Sequence, residues 1–232
     1  MNYSQIRQSI TRYQALRRHR DADFDRRQQH LEQWKRHRMQ ICYQPLLQDP
    51  HHEAMLSYYF NRIFSGLDLS ELQDAEATIN IIEQFFSGTD MLQAALEFNA
   101  LTGEINQALT QTLFEEMQYR VIDEEGFLLA CEAIELWPQM EAQLIQFERF
   151  AEGLNFTLAN KKVITAIKLA KFPAKIAGFG QLYQLVADGL AVVKNIADPE
   201  HIAAQLIAHE RLLLNRQRQQ LRPAILPLQA LL

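Results

Sequence analysis

Apolar residues recur three and four positions apart along almost the whole chain, a spacing that is typical of helices with one buried face. The first such stripe consists of Ile6, Ile10, Tyr13 and Leu16. Strand-like alternation is missing, and the 232 residues include only eight glycines and seven prolines. We therefore predict an all-α protein that forms a single compact helical bundle of about nine or ten helices.

The domain organisation follows from the even composition of the chain. Hydrophobic residues make up 48% of it and charged residues 22%, which is enough apolar material for a sizeable core. We find no linker-like change of composition and no internal repeat of fixed period. Residues 1–232 are therefore predicted to be one all-helical domain, in which residues 1–45 are a candidate basic helical arm.

Several short polar sequences mark expected helix ends. Acidic and hydroxyl side chains accept hydrogen bonds from the first free backbone N–H groups of a helix, and proline is favoured in its first turn. Pro50 is expected to end the second helix, and Ser70 with Gln73 forms a capping-box pattern for a helix over residues 71–86. The acidic run Asp123-Glu124-Glu125 is expected at the start of another helix, where the helix dipole favours negative charge. The predicted N-terminal caps are Asp21 or Asp23, Ser70, Thr89 or Asp90, Asn160 and Asp198.

Charge is separated into blocks along the sequence. Residues 1–40 carry ten Lys and Arg against four Asp and Glu, whereas residues 53–153 carry nineteen acidic side chains against three basic ones. Residues 154–232 are again basic, with ten against four. An acidic middle between two basic ends predicts that some surface requires a counter-charge, either from the same chain or from a partner.

The basic N-terminal segment is the main candidate interaction surface. Its amphipathic helices indicate pairing with the acidic middle of the same chain or of a second copy, in preference to a separate acidic partner. Aromatic residues lie between the arginines, so phosphate contacts are also considered, but the net charge of −5 makes nucleic acid an unfavoured partner. The candidate residues are Arg7, Arg12, Arg17, Arg18, Arg20, Arg26, Arg27, Lys35, Arg36 and Arg38.

Histidines are the only candidates for a metal or haem site. A ferritin-like di-iron site requires Glu-x-x-His pairs, and the chain contains none. His51, His52, His201 and His209 are candidate ligands, yet each is explained as well by a polar helix start or a solvated helix face. We predict no cofactor and no metal site.

No sequence motif of a catalytic site is present. Gly178-Phe179-Gly180 lies in a helical pattern and lacks the third glycine of a dinucleotide-binding turn, and Gly-x-Ser-x-Gly does not occur. These observations favour a function other than catalysis and leave a bundle-type enzyme as an alternative.

The expected location is the cytoplasm. The first residues lead directly into a basic, glutamine-rich stretch without the apolar segment of a signal peptide, and no run of about eighteen apolar residues could span a membrane. Cys42 and Cys131 are far apart in sequence and have no metal-site spacing. We predict two buried free thiols, as in a reducing compartment.

Two stretches carry a resemblance to a known family. Asp49-Pro50 followed by residues 57–66, with the sequence SYYFNRIFSG, resembles the aspartate-proline and FFLEELYG segment of the bacterial FFLEELY-motif proteins. Residues 169–180 are similar to a second stretch of that family. Asn61 and Arg62 replace both glutamates of the motif, so the segment is interpreted as a packing helix with an aromatic stripe. The resemblance implies a bacterial helical domain and no defined reaction.

The sequence thus leads to a ranked set of functions. We predict a helical protein that acts by protein–protein interaction, as a homo-oligomer or an accessory factor. The alternative is a helical bundle that binds a small molecule, haem or a metal, including an enzyme of this architecture. The third hypothesis is nucleic-acid binding through the basic N-terminal helices.

Overall fold

The chain folds as an all-α bundle, as the sequence predicts. The computed structural model describes residues 3–16, 21–64, 66, 90–159, 161–169, 171, 175, 180–196, 198–223 and 226–228. Within these residues every regular element is a helix and no strand occurs.

The helices follow one another through short connections. The N-terminal part comprises α1 (Tyr3–Leu16), α2 (Ala22–Cys42), α3 (Gln44–Leu47), α4 (Pro50–Tyr58) and the π-helical turn π1 (Tyr59–Ile63). The remainder comprises α5 (Met91–Thr110), the π-helical turn π2 (Gln111–Glu116), α6 (Glu124–Ala133), α7 (Trp137–Ala159), α8 (Lys161–Leu169), α9 (Gly180–Val193) and α10 (Pro199–Arg218).

Two predicted helix caps, Asp21 and Asp198, are confirmed by their hydrogen bonds, and Asp123 also acts as a cap at the helix start where its acidic run was predicted. The side chain of Asp21 accepts from the backbone N–H of Phe24 at 2.7 Å. Asp123 accepts from the N–H three residues later at 2.7 Å, and Asp198 does the same at 3.0 Å, with Pro199 in the first helical turn. Each carboxylate thereby satisfies one of the unpaired N–H groups at a helix start.

Other helix boundaries differ from the prediction. The second helix ends at Cys42 and not at Pro50, because Pro45 lacks the N–H that a continuous helix requires and instead lies in the first turn of α3. α7 starts at Trp137, with Pro138 in its first turn, and continues to Ala159. The helix over residues 71–86 lies outside the described residues, together with its Ser70 and Gln73 cap.

α5 is the central helix, and α7 packs along it. α1 covers another side of α5, while α10 packs on α7. α5 and α7 approach each other closely at Gly153, where a Cβ atom would lie 2.5 Å from Cβ and 3.0 Å from Cα of Met91. Any residue larger than glycine would require the backbone of α5 or α7 to shift here. Gly153 therefore sets the spacing between these two helices.

Aromatic side chains fill the core between π1, α5 and α7. Phe147 is fully buried, and its ring lies 5.1 Å from Tyr59, 4.9 Å from Phe64 and 6.0 Å from Phe98. The predicted aromatic stripe of residues 59–64 is therefore a packing surface. Near the C-terminus, Leu228 is only 1% exposed and packs back onto the same core.

Both cysteines are buried free thiols, which confirms the prediction for Cys42 and Cys131. Among the helices that the structure describes, none combines the length and apolar character needed to span a bilayer.

Candidate functional site

The ten predicted basic residues do not form one surface. Arg17, Arg18 and Arg20 lie outside the described residues. Arg7 and Arg26 are exposed, Arg12, Arg27, Lys35 and Arg36 are partly buried, and Arg38 is 8% exposed. The segment thus contributes both to the surface and to the interior of the bundle.

Arg12 joins α1 to the acidic residues of α5. Its Nη1 lies 2.6 Å from Glu97 and its Nη2 lies 2.6 Å from Glu104, while Nε also donates to Glu104 at 2.7 Å. The hydrogen bond to Glu104, together with Glu97, raises the pKa of Arg12 despite partial burial. A bidentate contact of this kind is the stronger form of an ion pair.

Other oppositely charged blocks also meet within the chain. Arg27 lies 3.7 Å from Glu115, and Arg211 of the C-terminal basic block lies 2.9 Å from Glu148. Both pairs are largely exposed and therefore contribute little stability individually. They nevertheless show that basic ends and acidic middle contact each other in one copy of the chain.

A wide groove of about 450 Å³ lies between the start of α2 and the residues that follow π2. Phe114 and Tyr119 line it, and the ring of His30 lies 5.7 Å from that of Phe114. Arg26 is paired with Asp23, whereas the exposed Arg120 makes no ion pair within the described ranges. The groove lining consists of Asp23, Arg26, Arg27, His30, Phe114, Gln118, Tyr119 and Arg120.

The most unusual polar cluster lies inside the bundle, between α2 and α10. Nη2 of Arg38 donates to Oε2 of Glu210 at 3.3 Å, and the hydroxyl of Tyr43 donates to Oε1 of the same carboxylate at 2.7 Å. The Arg38 and Glu210 side chains are only 8% and 15% exposed. A buried ion pair is held at considerable desolvation cost, so this cluster is the first candidate for a functional role.

Protonation states in the cluster follow from burial and from the Glu210 carboxylate. Burial opposes the charged form of Arg38, but Glu210 outweighs it and raises the pKa of the guanidinium. Burial, reinforced by Glu210, raises the pKa of the Tyr43 hydroxyl well above its ordinary value. Burial likewise raises the pKa of the Cys42 thiol to about 11. Hydroxyl and thiol therefore stay protonated at neutral pH and are not activated nucleophiles.

Arg38 and Glu210 line a cavity of about 40 Å³. Nε of Arg38 is buried and makes no hydrogen bond of good geometry within the described residues, while the Arg38 side chain lies close enough to the Cys42 thiol to oppose the effect of burial on its pKa. Gln217, which is 3% exposed, lies on the same wall. The complete lining consists of Arg38, Phe64, Phe98, Met140, Gln143, Leu144, Glu210, Leu214 and Gln217, from α2, the end of π1, α5, α7 and α10.

A second polar contact lies one turn away on α2. Nζ of Lys35 donates to Oδ1 of Asn106 at 2.8 Å, and Asn106 is 2% exposed. Burial, with the nearby Arg38, lowers the pKa of Lys35 to about 8. Lys35 and Arg38 are therefore inward-facing polar residues and not part of a basic outer surface.

His209 adjoins the cluster without joining its hydrogen bonds. The side chain is fully buried, and its ring meets that of Tyr43 edge-on at 5.1 Å and 82°. Within the described residues neither ring nitrogen makes a hydrogen bond of good geometry, but the backbone of Leu226 lies near the ring and favours its protonated form. Burial lowers the pKa of His209, in opposition to the nearby Glu210. The imidazole is thus held neutral in the folded protein.

This neutral histidine predicts a loss of stability in acid. The unfolded chain binds a proton at His209 near pH 6.5, but the folded protein does so only at lower pH, so protonation favours unfolding. The His209 contribution to the free energy of unfolding is complete above pH 6.5 and decreases as the pH falls below it. We expect His209→Leu to make the free energy of unfolding, measured in urea, less dependent on pH between pH 7 and 5. The control is His37→Gln, at an exposed position. An unchanged pH slope in His209→Leu would contradict this assignment.

The helical positions of Arg38 and Lys35 carry a signal that the sequence interpretation missed. Leu31, Lys35, Arg38 and Cys42 are spaced by four, three and four residues and hence share one face of α2. Leu31 and Cys42 are fully buried. Positively charged residues on an otherwise apolar stripe indicate an internal partner, and that partner is Glu210 in the case of Arg38.

Candidate metal ligands do not converge in the part of the chain that the structure describes, where no three His, Cys, Asp or Glu side chains form a group. Nδ1 of His52 lies 3.3 Å from Asp49, its neighbour one turn earlier. His201 contacts Gln205 on its own helix. The side chain of His51 is outside the description.

No curated protein and no solved structure matches the chain. One family model matches residues 14–222, from the end of α1 past the end of α10, and includes Arg38, Tyr43 and Glu210. Because this match covers most of the 232 residues, the chain belongs to the family described as domain of unknown function DUF8198.

Proposed function

We propose that this protein binds a small polar molecule in the cavity beside Arg38. One observation carries the proposal: the polar side chains of Arg38, Glu210 and Gln217, which are at most 15% exposed, line the same cavity. A cavity with mainly apolar walls and a few convergent polar groups is the usual form of a small-molecule site.

Binding is favoured over catalysis by the state of the nearby reactive groups. The thiol of Cys42 and the hydroxyl of Tyr43 both have raised pKa values. Among the described residues, His209 makes no hydrogen bond to a side chain that would orient it as a general base. The cluster supplies hydrogen-bond donors and a balanced ion pair, which orient a ligand but provide no activated nucleophile.

The motif-like segment supports this location. Phe64, at its end, lines the cavity, and Phe60 contacts Tyr43 with ring centroids 5.3 Å apart. π-Helical turns such as π1 often occur at functional sites. Membership of the chain among the FFLEELY-motif proteins remains a prediction, and on this proposal the aromatic residues of the segment serve to build the cavity wall.

The test is a ligand titration monitored by backbone amide shifts in isotope-labelled protein. The probes are alcohols, ketones, amides, acids and amines of four to six non-hydrogen atoms. We expect at least one class to shift the amides of residues 38, 140–144 and 210–217. Leu214→Phe should abolish the shifts by filling the cavity, while Leu169→Phe, at a site that is 71% exposed in the wild type, should leave them unchanged. Absence of binding by every class would contradict the proposal.

A protein partner or a second copy of the chain is the second candidate. The groove with the exposed Arg120 supports it, because this cation and the neighbouring aromatic rings could contact a partner's carboxylates. If the protein is a homo-oligomer, we expect sedimentation velocity to show self-association that weakens as salt is added. Arg120→Glu should weaken this self-association, whereas Arg149→Glu, at another exposed position, should not. A monomer at all concentrations would contradict self-association. Nucleic-acid binding has no comparable observation in its favour.

Location in the cytoplasm also stays a proposal. The two free thiols support it, because unpaired cysteines are usual in reducing compartments.

A further inference from the structure

The groove between the start of α2 and the residues that follow π2 lies directly beside α6. Tyr119 lines the groove, and its ring packs on Gly126 in the first turn of α6. The contact is so close that a Cβ atom at Gly126 would lie 2.5 Å from Cε1 of the ring. The groove and the start of α6 are therefore neighbours on one side of the molecule.

The outer face of α6 carries carboxylates and one large apolar side chain. Glu125, Leu129 and Glu132 are spaced by four and three residues, so they share one face of the helix. All three are exposed, and Leu129 is 45% exposed. Glu132 accepts a hydrogen bond from Gln220 at 3.0 Å, whereas Glu125 makes no ion pair within the described part of the chain. Side chains at this spacing are typical of a helix that docks in a groove.

The groove offers what this helix face requires. Arg120 is exposed and makes no ion pair among the residues that the structure describes, while the other two arginines of the lining are already paired. Phe114 and Tyr119 supply aromatic surface on the same walls. At about 450 Å³ the groove is large enough for several side chains from one helix face. A cation beside aromatic rings complements a carboxylate beside a leucine.

A second copy of the chain complements both surfaces at once. Arg120 and Glu125 have opposite charges and lie five positions apart, yet no ion pair joins them within one copy. A twofold rotation about an axis between them places each residue against its counterpart in the other copy. A different acidic protein would neutralise the groove but leave the outer face of α6 unused. The proximity of the two surfaces therefore favours self-association over a foreign partner.

We infer that the chain forms a twofold-symmetric dimer in which α6 of each copy lies in the groove of the other. Glu125 then faces the partner's Arg120, and Leu129 packs against the partner's Phe114 and the partner's Tyr119. The inference rests on self-association, the second candidate function, and adds the surface that fills the groove.

Charge reversal tests this pairing, with sedimentation velocity of the full chain at low salt as the measurement. Arg120→Glu and Glu125→Arg should each weaken the dimer at least about tenfold, because each makes two attractive contacts of the symmetric dimer repulsive. Each variant alone is therefore mainly monomeric. An equimolar mixture of the two variants should dimerise again, because both contacts of the mixed dimer join opposite charges. Pairing within one copy would not respond to mixing.

Two sets of control variants accompany the test. Arg149→Glu and Glu152→Arg reverse charges at exposed positions of α7, and each should dimerise as the wild type does. Leu129→Ala should weaken the dimer about tenfold through lost apolar burial, whereas Leu169→Ala, at another exposed leucine, should not. All these positions are exposed, so the variants should fold, and circular dichroism checks their helical content.

The outcomes separate this inference from the candidate function on which it rests. If Arg120→Glu weakens self-association but mixing does not restore it, α6 is not the counterpart of the groove, and self-association through the groove stands. If the wild type dimerises and neither reversal affects it, the dimer uses another face and the inference is overturned. A wild type that stays monomeric at all concentrations overturns both. The small-molecule proposal for the cavity beside Arg38 is independent of these results.

Discussion

We expect Glu210→Leu to lower the free energy of unfolding by about 3–5 kcal/mol, because it leaves the charge of Arg38 buried without a partner. Arg38 is only 8% exposed, and Glu210 is its sole ion-pair partner among the described residues. The substitution also removes the acceptor of the Tyr43 hydroxyl, which is fully buried. Urea unfolding at pH 7, followed by circular dichroism, measures the change.

The combined variant Arg38→Met, Tyr43→Phe and Glu210→Leu is the informative control. Since it leaves no buried charge and no unpaired hydroxyl, most of the lost stability should return. If the combined variant is as unstable as Glu210→Leu alone, the loss comes from packing and not from the uncompensated charge. If Glu210→Leu has the stability of the wild type, Arg38 is not desolvated as the structure indicates.

Recovery of stability in the combined variant would also bear on why the cluster exists. An apolar replacement that folds equally well means that the buried ion pair is not needed for stability. Some proteins keep buried ion pairs for structural specificity, and the position of this pair on a cavity wall favours a role in ligand binding.

The sequence predicts the helical class and several helix starts because these depend on short-range patterns. Apolar spacing, a capping aspartate and a following proline are all read within one or two turns, as at Asp198 and Pro199. The predicted end of α2 is Pro50, whereas the observed end is Cys42, because Pro45 already interrupts the helix. The π-helical turns π1 and π2 were not predicted, since one additional residue per turn leaves little trace in apolar periodicity.

The candidate site depends on long-range contacts that the sequence does not specify. Arg38 and Glu210 are separated by 172 positions. In the sequence Arg38 is one of ten similar basic residues, and only its place between Leu31 and Cys42 on one face of α2 distinguishes it. The separation of charge into blocks does correspond to contacts within the chain, such as those of Arg12 with Glu97 and Glu104, which attach α1 to α5. These contacts lie away from the cavity.

Phe147→Ala should be the most damaging single truncation of the core, with a loss of about 3–5 kcal/mol in the free energy of unfolding. Phe147 is fully buried and packs against Tyr59, Phe64 and Phe98, two of which line the cavity. Val121→Ala, at a site that is 72% exposed in the wild type, should change stability by less than about 0.5 kcal/mol.

The same truncation connects the core to the proposed ligand site. Removal of the Phe147 ring leaves Phe64 and Phe98 free to move into the vacated space, so the cavity walls lose their fixed spacing. We expect Phe147→Ala to weaken binding of the small-molecule probe that shifts the cavity amides, even at temperatures where the variant remains folded, whereas Val121→Ala should bind that probe as the wild type does. A stable fold with unaltered binding would show that the aromatic cluster supports the bundle but does not shape the cavity.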